Sequence, residues 1–273
     1  MMPPPLAAEA ALFIDVDGTL LEIAPRPELV RVPRDLPLLL ERLAAQRGGA
    51  LALVSGRRLA DLDRLFDPWR GAAAGLHGAE RRRLDGSSAD HRDNGWDAAA
   101  IAALDLLRPQ LRDIVAQLTG TWLEDKGQTL ALHYRAAPEK ADEIRDRVGR
   151  LVRQADDHLR LIDGKMVVEL QSSRHGKGAA IAAFLDEPPF KGRPPVFIGD
   201  DTTDEDGFAE VNRQGGISIR VGPPASVTQA AFALPTVAAA LAWLAEEMSA
   251  AGGTQPAASR SQPRVAGGAR EAQ

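Results

Sequence analysis

The stretch AALFIDVDGTL, residues 10–20, decides how the rest of the chain is read. Ala11 to Val16 is a short, largely apolar run of β-favouring residues bounded by Gly18, the pattern of a buried parallel strand that ends in a tight turn. Asp15 and Asp17 sit where the strand runs out, and in extended chain positions i and i+2 point to the same side. Gly18 lets the backbone bend there without a Cβ clash. Two acids are thereby expected side by side at the carboxyl end of a central strand, where open α/β sheets bind their ligands. Such a pair is costly unless a cation or a shared proton offsets the repulsion. A plain polar turn is the competing reading of Asp-x-Asp-Gly alone, and the partners downstream decide against it.

Working outward, residues 1–9 read as a flexible arm, and Leu21 to Val32 as a proline-punctuated loop beside the acidic turn. Leucines at 36, 39, 40 and 43 have helical spacing, and Gly48-Gly49 ends that helix. Ala50 to Val54 is a second strand, followed by Ser55-Gly56-Arg57 and a helix from Leu59 to Phe66. Strand, helix and strand make the βαβ unit of a parallel sheet. Ala72 to Gly75 is a third strand, and Arg81 to Gly95 reads as a hairpin or connector. The rhythm then changes to helix–strand–strand twice over, with Pro109 expected to kink or split the first helix. The core resumes with a helix at 176–185, strands at 196–199 and 216–221, a strand-like FAL and a last helix from Thr236 to about Met248. The expected fold class is α/β: a Rossmann-like parallel core over 10–97 and 172–248, with a smaller α+β (αββαββ) cap inserted at 98–171. Residues 249–273, mostly Gly, Ala, Ser, Gln and Pro, read as a disordered tail.

The 273 residues carry a formal net charge of −5, which argues against a nucleic-acid binder driven by phosphate neutralisation. There is no cysteine, so disulfides and thiolate metal sites are excluded and a reducing compartment fits. No signal peptide and no membrane span is expected, which points to a cytoplasmic protein without nucleic-acid or membrane partners. The skew of 5 lysines against 28 arginines (33 − 5) carries no functional reading.

Four core elements end in chemically pointed loops: Asp15 and Asp17 after the first strand, Ser55 after LALV, Lys177 opening a helix in HGKG, and Asp200, Asp201 and Asp204 after VFIG. Singly, Ser55 reads as a helix N-cap, Lys177 as a solvated lysine and the late acids as helix-start residues. Together they fall on one edge of one sheet. Three acids without Cys or His nearby select a hard cation, and Mg²⁺ suits oxygen ligands with phosphate. A hydroxyl and an ammonium hold phosphoryl oxygens. A carboxylate beside the metal attacks phosphorus, and a second one two residues on serves as general acid and then base.

The strings DVDGT, VSGR, HGKG and GDDTTDE resemble, in order, the four signatures of the haloacid-dehalogenase-like (HAD) phosphatases. With TLLEIAPRPELVRVP, GLHGAE, EDKGQTLALHYR, VVEL and GDDTTDEDGFAEVN, residues 11–222 resemble the trehalose-6-phosphate phosphatases more closely still. The resemblance implies Asp15 as nucleophile and Asp17 as general acid/base. It implies Mg²⁺ held by Asp15, the Asp17 backbone carbonyl and Asp200, with Ser55 and Lys177 on the phosphoryl group. Asp201 and Asp204 would support the metal site or orient Lys177. It further implies sugar contacts from Glu124, Lys126 and Glu169 in the cap, substrate-binding positions at Arg57, His77, Gly78, Glu80 and Arg135 along the core–cap seam, and substrate binding by Gly18, Thr19 and Gly56. The implied reaction is hydrolysis of trehalose 6-phosphate by a monomer with a functional link to a trehalose-6-phosphate synthase. The alternatives are another phospho-sugar such as sucrose 6-phosphate, a phosphoglycerate ester, phosphotransfer to an alcohol, or a catalytically silent binding module.

Overall fold

Strand β1 (Ala11–Ile14) is buried on both faces and lies at the centre of a seven-stranded sheet. A computed structural model describes residues 1–24, 29–87, 98–225 and 227–252. β1 pairs in parallel with β2 (Leu51–Val54) on one side and β9 (Pro195–Gly199) on the other. Outside β2 lie β3 (Ala72–Gly75) and the antiparallel edge strand β4 (Glu80–Arg82); outside β9 lie β10 (Ile217–Val221) and β11 (Phe232–Leu234). Chain order reverses at β1, and that reversal opens a crevice beyond the carboxyl ends of β1, β2 and β9.

The period of two in each strand assigns its side chains to two cores. Leu12, Ile14, Leu51, Leu53, Val196 and Ile198 pack with Leu40 and Leu43 of α1 (Leu36–Gln46), Leu62 of α2 (Leu59–Leu65), and Trp243 and Leu244 of α7 (Val237–Gly252). On the other face Phe13, Ala52, Val54 and Phe197 meet Ile181 and Phe184 of α5 (Lys177–Leu185) and Phe208 of α6 (Glu205–Arg213). The Phe13 ring stacks on Phe190 with centroids 5.4 Å apart.

Between β4 and α5 the chain builds a second layer: α3 (Ala98–Gln117), β5 (Trp122–Asp125), β6 (Leu130–His133), α4 (Ala141–Arg153), β7 (Leu159–Gly164) and β8 (Val167–Ser172). Its four strands form an antiparallel sheet in the order β5-β6-β8-β7. Leu130, Leu132, Val168 and Leu170 face α3 and α4. Alternation sends the intervening residues to the opposite face. There the register lines up Glu124, Ala131, Glu169 and Ile162 in one row, and Trp122, His133, Val167 and Gly164 in the next.

Several expectations change. The opening arm is tied down: Pro3 is buried, Ala233 N–H donates to the Met1 carbonyl at 3.0 Å, and Leu6 N–H donates to Glu247 Oε2 at 2.9 Å. The start of the expected connector is β4, a strand written Glu-Arg-Arg because its arginines are matched by acids, Arg82 by Asp63 and Arg81 by Glu187. Pro109 does not split α3; it and Asp105, whose carbonyl it frees, lie on the exposed side where water serves that oxygen. α7 runs four residues beyond Met248, to Gly252. Pro25 and Pro27 of the expected loop, 88–97 of the connector and 253–273 of the tail lie outside the described residues.

Candidate active site

A cavity of about 290 Å³ lies between the carboxyl ends of the parallel strands and the polar face of the second sheet. Its floor holds Asp15, Asp17, Ser55, Lys177, Asp200 and Asp201, and its roof Glu124, Lys126, Arg135 and Glu169, with Gly56, Arg57 and His77 at the seam.

Asp15 follows β1 and is buried, with Oδ1 accepting from Lys177 Nζ at 2.6 Å and Oδ2 from Thr19 Oγ1 at 3.1 Å. Lys177 opens α5 and reaches back to a second acid, donating to Asp204 Oδ1 at 2.6 Å. Burial works against the Lys177 charge, yet Asp15 and Asp204 outweigh it and hold the ammonium above its ordinary pKa. Burial raises Asp15 well above the usual carboxylate range; Lys177 opposes the rise, and Asp204 and Asp200 add to it. Asp204 is the hub of the last loop: its Oδ2 accepts the backbone N–H groups of Asp200 and Asp201, each at 2.9 Å. Asp201 caps the turn that follows, accepting from Thr202 N–H at 2.8 Å. Asp204 therefore orients Lys177 and shapes the Asp200 loop at once, and Asp201 holds loop geometry.

Carboxylate oxygens of Asp15, Asp200 and Asp204 lie within 4.8 Å of one another. Burial first, then Asp204, pushes Asp200 up to about 6, against the ammonium of Lys165. Three carboxyl groups face two lysines, so with all three ionised the buried site carries an excess of one negative charge. An all-oxygen donor set with surplus negative charge fits a hard divalent cation. Asp204 joins the cluster where only Asp15, Asp200 and the Asp17 carbonyl were expected, but its oxygens are already taken by Lys177 and the two amides. Gly18 is required here: its φ is +87° and a Cβ would stand 2.0 Å from Asp200 Oδ2.

Asp17 is gripped by Arg57, with Nε to Oδ2 at 2.6 Å and Nη2 to Oδ1 at 2.7 Å. The buried Ser55 accepts from Arg57 N–H through Oγ at 3.1 Å. Gly56 leaves room for His77, whose Nε2 would be 2.6 Å from a Cβ there. His77 Nε2 lies 3.3 Å from Glu169 Oε2, and Lys126 Nζ lies 3.4 Å from Glu169 Oε1 while donating to the Gly56 carbonyl at 3.1 Å. Burial would raise Glu169, but Lys126 and then His77 outweigh it and hold its carboxyl well below the usual range. Glu124 is likewise below its ordinary value: burial is outweighed by His133 and Lys126. The roof thus presents ionised acids beside a lysine, a surface built to bond hydroxyl groups.

Four of the expected substrate-binding residues do not line the cavity. Thr19 is fully buried beneath Asp15, and Gly18 is covered by Asp200. Glu80 Oε2 accepts from Leu59 N–H at 2.8 Å at the start of α2, and Gly78 packs under Gly176 and Ala180. Thr19 and Gly18 contact Asp15 and Asp200, which do face the cavity.

The lining also includes residues that sequence reasoning passed over. Lys165 projects from the β7–β8 turn, its Nζ on Asp200 Oδ2 and its N–H donating to Asp201 Oδ2 at 3.2 Å. Trp122, Asp61 and His133 line the walls. Trp122 could have been found: it lies two residues before Glu124 on one strand and shares its face.

A family model described as trehalose-phosphatase matches residues 13–237. A probable trehalose-phosphate phosphatase of Sinorhizobium fredii is 45% identical over 229 residues, covering 84% of each chain. The trehalose-6-phosphate phosphatase of Escherichia coli is 46% identical over 241 residues, covering 88% of this chain and 87% of that one. Among solved structures, the C-terminal domain of the Candida albicans trehalose-6-phosphate phosphatase superposes with a TM-score of 0.77 at 20% identity, over 88% of this chain and 92% of that one. A phosphatase of the haloalkanoate (HAD) enzyme superfamily from Bacteroides thetaiotaomicron superposes at 0.59 with 18% identity, over 92% and 98%, so the core has the HAD fold.

Proposed function

The chain belongs to the trehalose-phosphatase family, and from that premise we propose how its residues divide the hydrolysis of trehalose 6-phosphate to trehalose and phosphate. The observation that carries the reading is one cavity with Asp15, Asp17, Ser55, Lys177 and Asp200 on its floor and Glu124, Lys126 and Glu169 on its roof. The floor has the chemistry for phosphate and the roof for a polyhydroxylated leaving group.

Asp15 and Asp200, with the Asp17 backbone carbonyl, would hold a divalent cation, and the hard oxygen donors favour Mg²⁺. When bound, the cation neutralises phosphate charge and makes phosphorus more electrophilic. Ser55 and Lys177 hold the phosphoryl oxygens. An Asp15 oxygen attacks phosphorus, the bond from phosphorus to the sugar O6 breaks, and Asp17 gives its proton to that oxygen. Asp17 then takes a proton from water as water attacks phosphorus; the bond to Asp15 breaks and phosphate leaves. Asp17 has to give up one of its two contacts to Arg57 to carry a proton. The second layer serves as a cap that closes over the phosphoenzyme and admits only water. Glu124, Lys126, Arg135 and Glu169 bond the sugar hydroxyls. We read the protein as a cytoplasmic monomer working downstream of a synthase that makes the phosphorylated disaccharide.

The test is phosphate release from trehalose 6-phosphate with Mg²⁺, beside glucose 6-phosphate, sucrose 6-phosphate and p-nitrophenyl phosphate. A strong preference for the first ester, abolished by chelator and by Asp15→Asn, supports the reading. Activity confined to the simple esters overturns the roof assignment. No release from any ester by folded, metal-loaded protein overturns the reaction.

A further inference from the structure

We propose that Trp122, backed by His133, is the platform for the outer glucose ring, the one without phosphate, and sets the preference for a disaccharide ester over a hexose ester. The inference rests on the proposed reaction and adds to it a residue that polar chemistry alone does not supply.

Trp122 begins the edge strand β5 and is 42% exposed. Of the large apolar side chains that stand exposed among the described residues, only Trp122 and Ile23 line this cavity. An indole left in water gains by being covered. Its orientation is set by its neighbours. Trp122 faces His133 across the strand pair, with ring centroids 3.9 Å apart and planes only 6° from parallel. His133 Nε2 lies 2.9 Å from Glu124 Oε2, so the imidazole is held by a carboxylate of the polar row. The stack is therefore fixed before any ligand arrives, and the ordering cost of binding is lowered.

Position in the sheet says which ring it meets. Trp122 and Gly164 are the two ends of one row of four cavity-facing residues. At the Gly164 end, Lys165 contacts Asp200, so that end lies over the phosphate floor. The Trp122 end is three strand spacings away, about 14 Å. A single hexose anchored by its phosphate does not span that row, and a second ring does. A pyranose has polar edges and an apolar C–H face; Glu124, Lys126 and Glu169 offer partners to the edges, and the indole offers one to the face.

The experiment is steady-state kinetics with Mg²⁺ on trehalose 6-phosphate and glucose 6-phosphate for the wild type and for Trp122→Ala, Trp122→Leu and Trp122→Phe. Ala and Leu variants should raise KM for the disaccharide ester roughly tenfold with kcat within about twofold. Trp122→Phe should restore most of the loss, and kcat/KM for glucose 6-phosphate should stay at the wild-type value throughout. Because the leucine variant keeps apolar bulk at an exposed site, loss of folding does not mimic this pattern. An unchanged KM for the disaccharide, or equal losses on both esters, overturns the platform and leaves the reaction standing. A wild-type protein inactive on trehalose 6-phosphate fails the reading of function instead, and is recognised before any variant is compared.

Discussion

Lys177→Met tests whether the ammonium at the start of α5 holds the acidic floor together. Lys177 is 3% exposed and stands 2.6 Å from both Asp15 and Asp204. Methionine keeps the length and apolar stem but leaves two buried carboxyl groups without their shared cation. Removing one partner of a buried ion pair costs about 3–5 kcal/mol. The site has one escape: taking up a proton, which for a carboxyl of ordinary pKa near 4 costs about 4 kcal/mol at pH 7 and about 1.4 kcal/mol at pH 5. The expected deficit in chelator at pH 7 is therefore about 3–4 kcal/mol, or about 10 °C in Tm for a protein of this size. The sign with pH follows. In the wild type Lys177 opposes the burial that raises Asp15; without it the carboxyl rises further, so the variant's folded form retains a proton more strongly than the wild type does, and the deficit shrinks as pH falls from 7 to 5. Saturating Mg²⁺ should stabilise the variant more than the wild type, because the cation then compensates charge that the lysine no longer does. Calorimetric melts at the two pH values, with chelator and with Mg²⁺, read all three effects. A variant melting within about 2 °C of wild type in chelator, or a deficit that grows on acidification, would refute the reasoning.

Two further outcomes are expected. Gly18→Ala forces a side chain at φ +87° into the Asp200 carboxylate, whereas Gly192→Ala at φ +77° meets nothing within 4 Å. The second should cost about 1–2 kcal/mol of stability and leave cation binding alone, while the first should also weaken divalent-cation affinity at least about tenfold by titration calorimetry. Glu187 is held below its ordinary pKa, chiefly by its bond from Arg81 and, after burial opposes it, by Arg83. A depressed folded pKa contributes stability above the ordinary carboxylate range and loses it as pH falls. In urea unfolding the wild type should exceed Glu187→Gln by about 1 kcal/mol at pH 7, and the two should converge below about pH 4.5.

Residues that form the central strands were legible because a strand buried on both faces must be apolar throughout, and ALFI, LALV and PVFIG are nearly so. The acids, Ser55 and Lys177 were legible for a related reason: polar groups at the ends of such strands contribute little to packing and stand where open sheets bind ligands. What escaped reading depends on distant partners. Glu-Arg-Arg at β4 is a strand only because Asp63 and Glu187 lie opposite its arginines. Residues 1–9 look unattached until Glu247 and Ala233 are brought beside them. Gly18, Thr19, Gly78 and Glu80 share strings with the cavity residues, yet string position does not tell front rank from second rank. Lys165 reads as a turn lysine until the β7–β8 hairpin is laid over Asp200.

The position of β1 between β2 and β9 has a consequence for how the protein is made. Leu12 pairs with Leu51 on one side and with Val196 on the other, and the latter partner is 184 residues downstream (196 − 12). The far partner follows the near one by 145 residues (196 − 51), so at about 5–20 residues per second a ribosome delivers it about 7–30 s later. Throughout that interval one edge of a strand that is apolar along its whole length is unpaired, a template for wrong pairing. The second layer has its own core and is finished by Ser172, before β9, so nascent chains long enough to expose Ser172 outside the ribosome but not Pro195 should hold that layer formed while β1 remains open to chaperones.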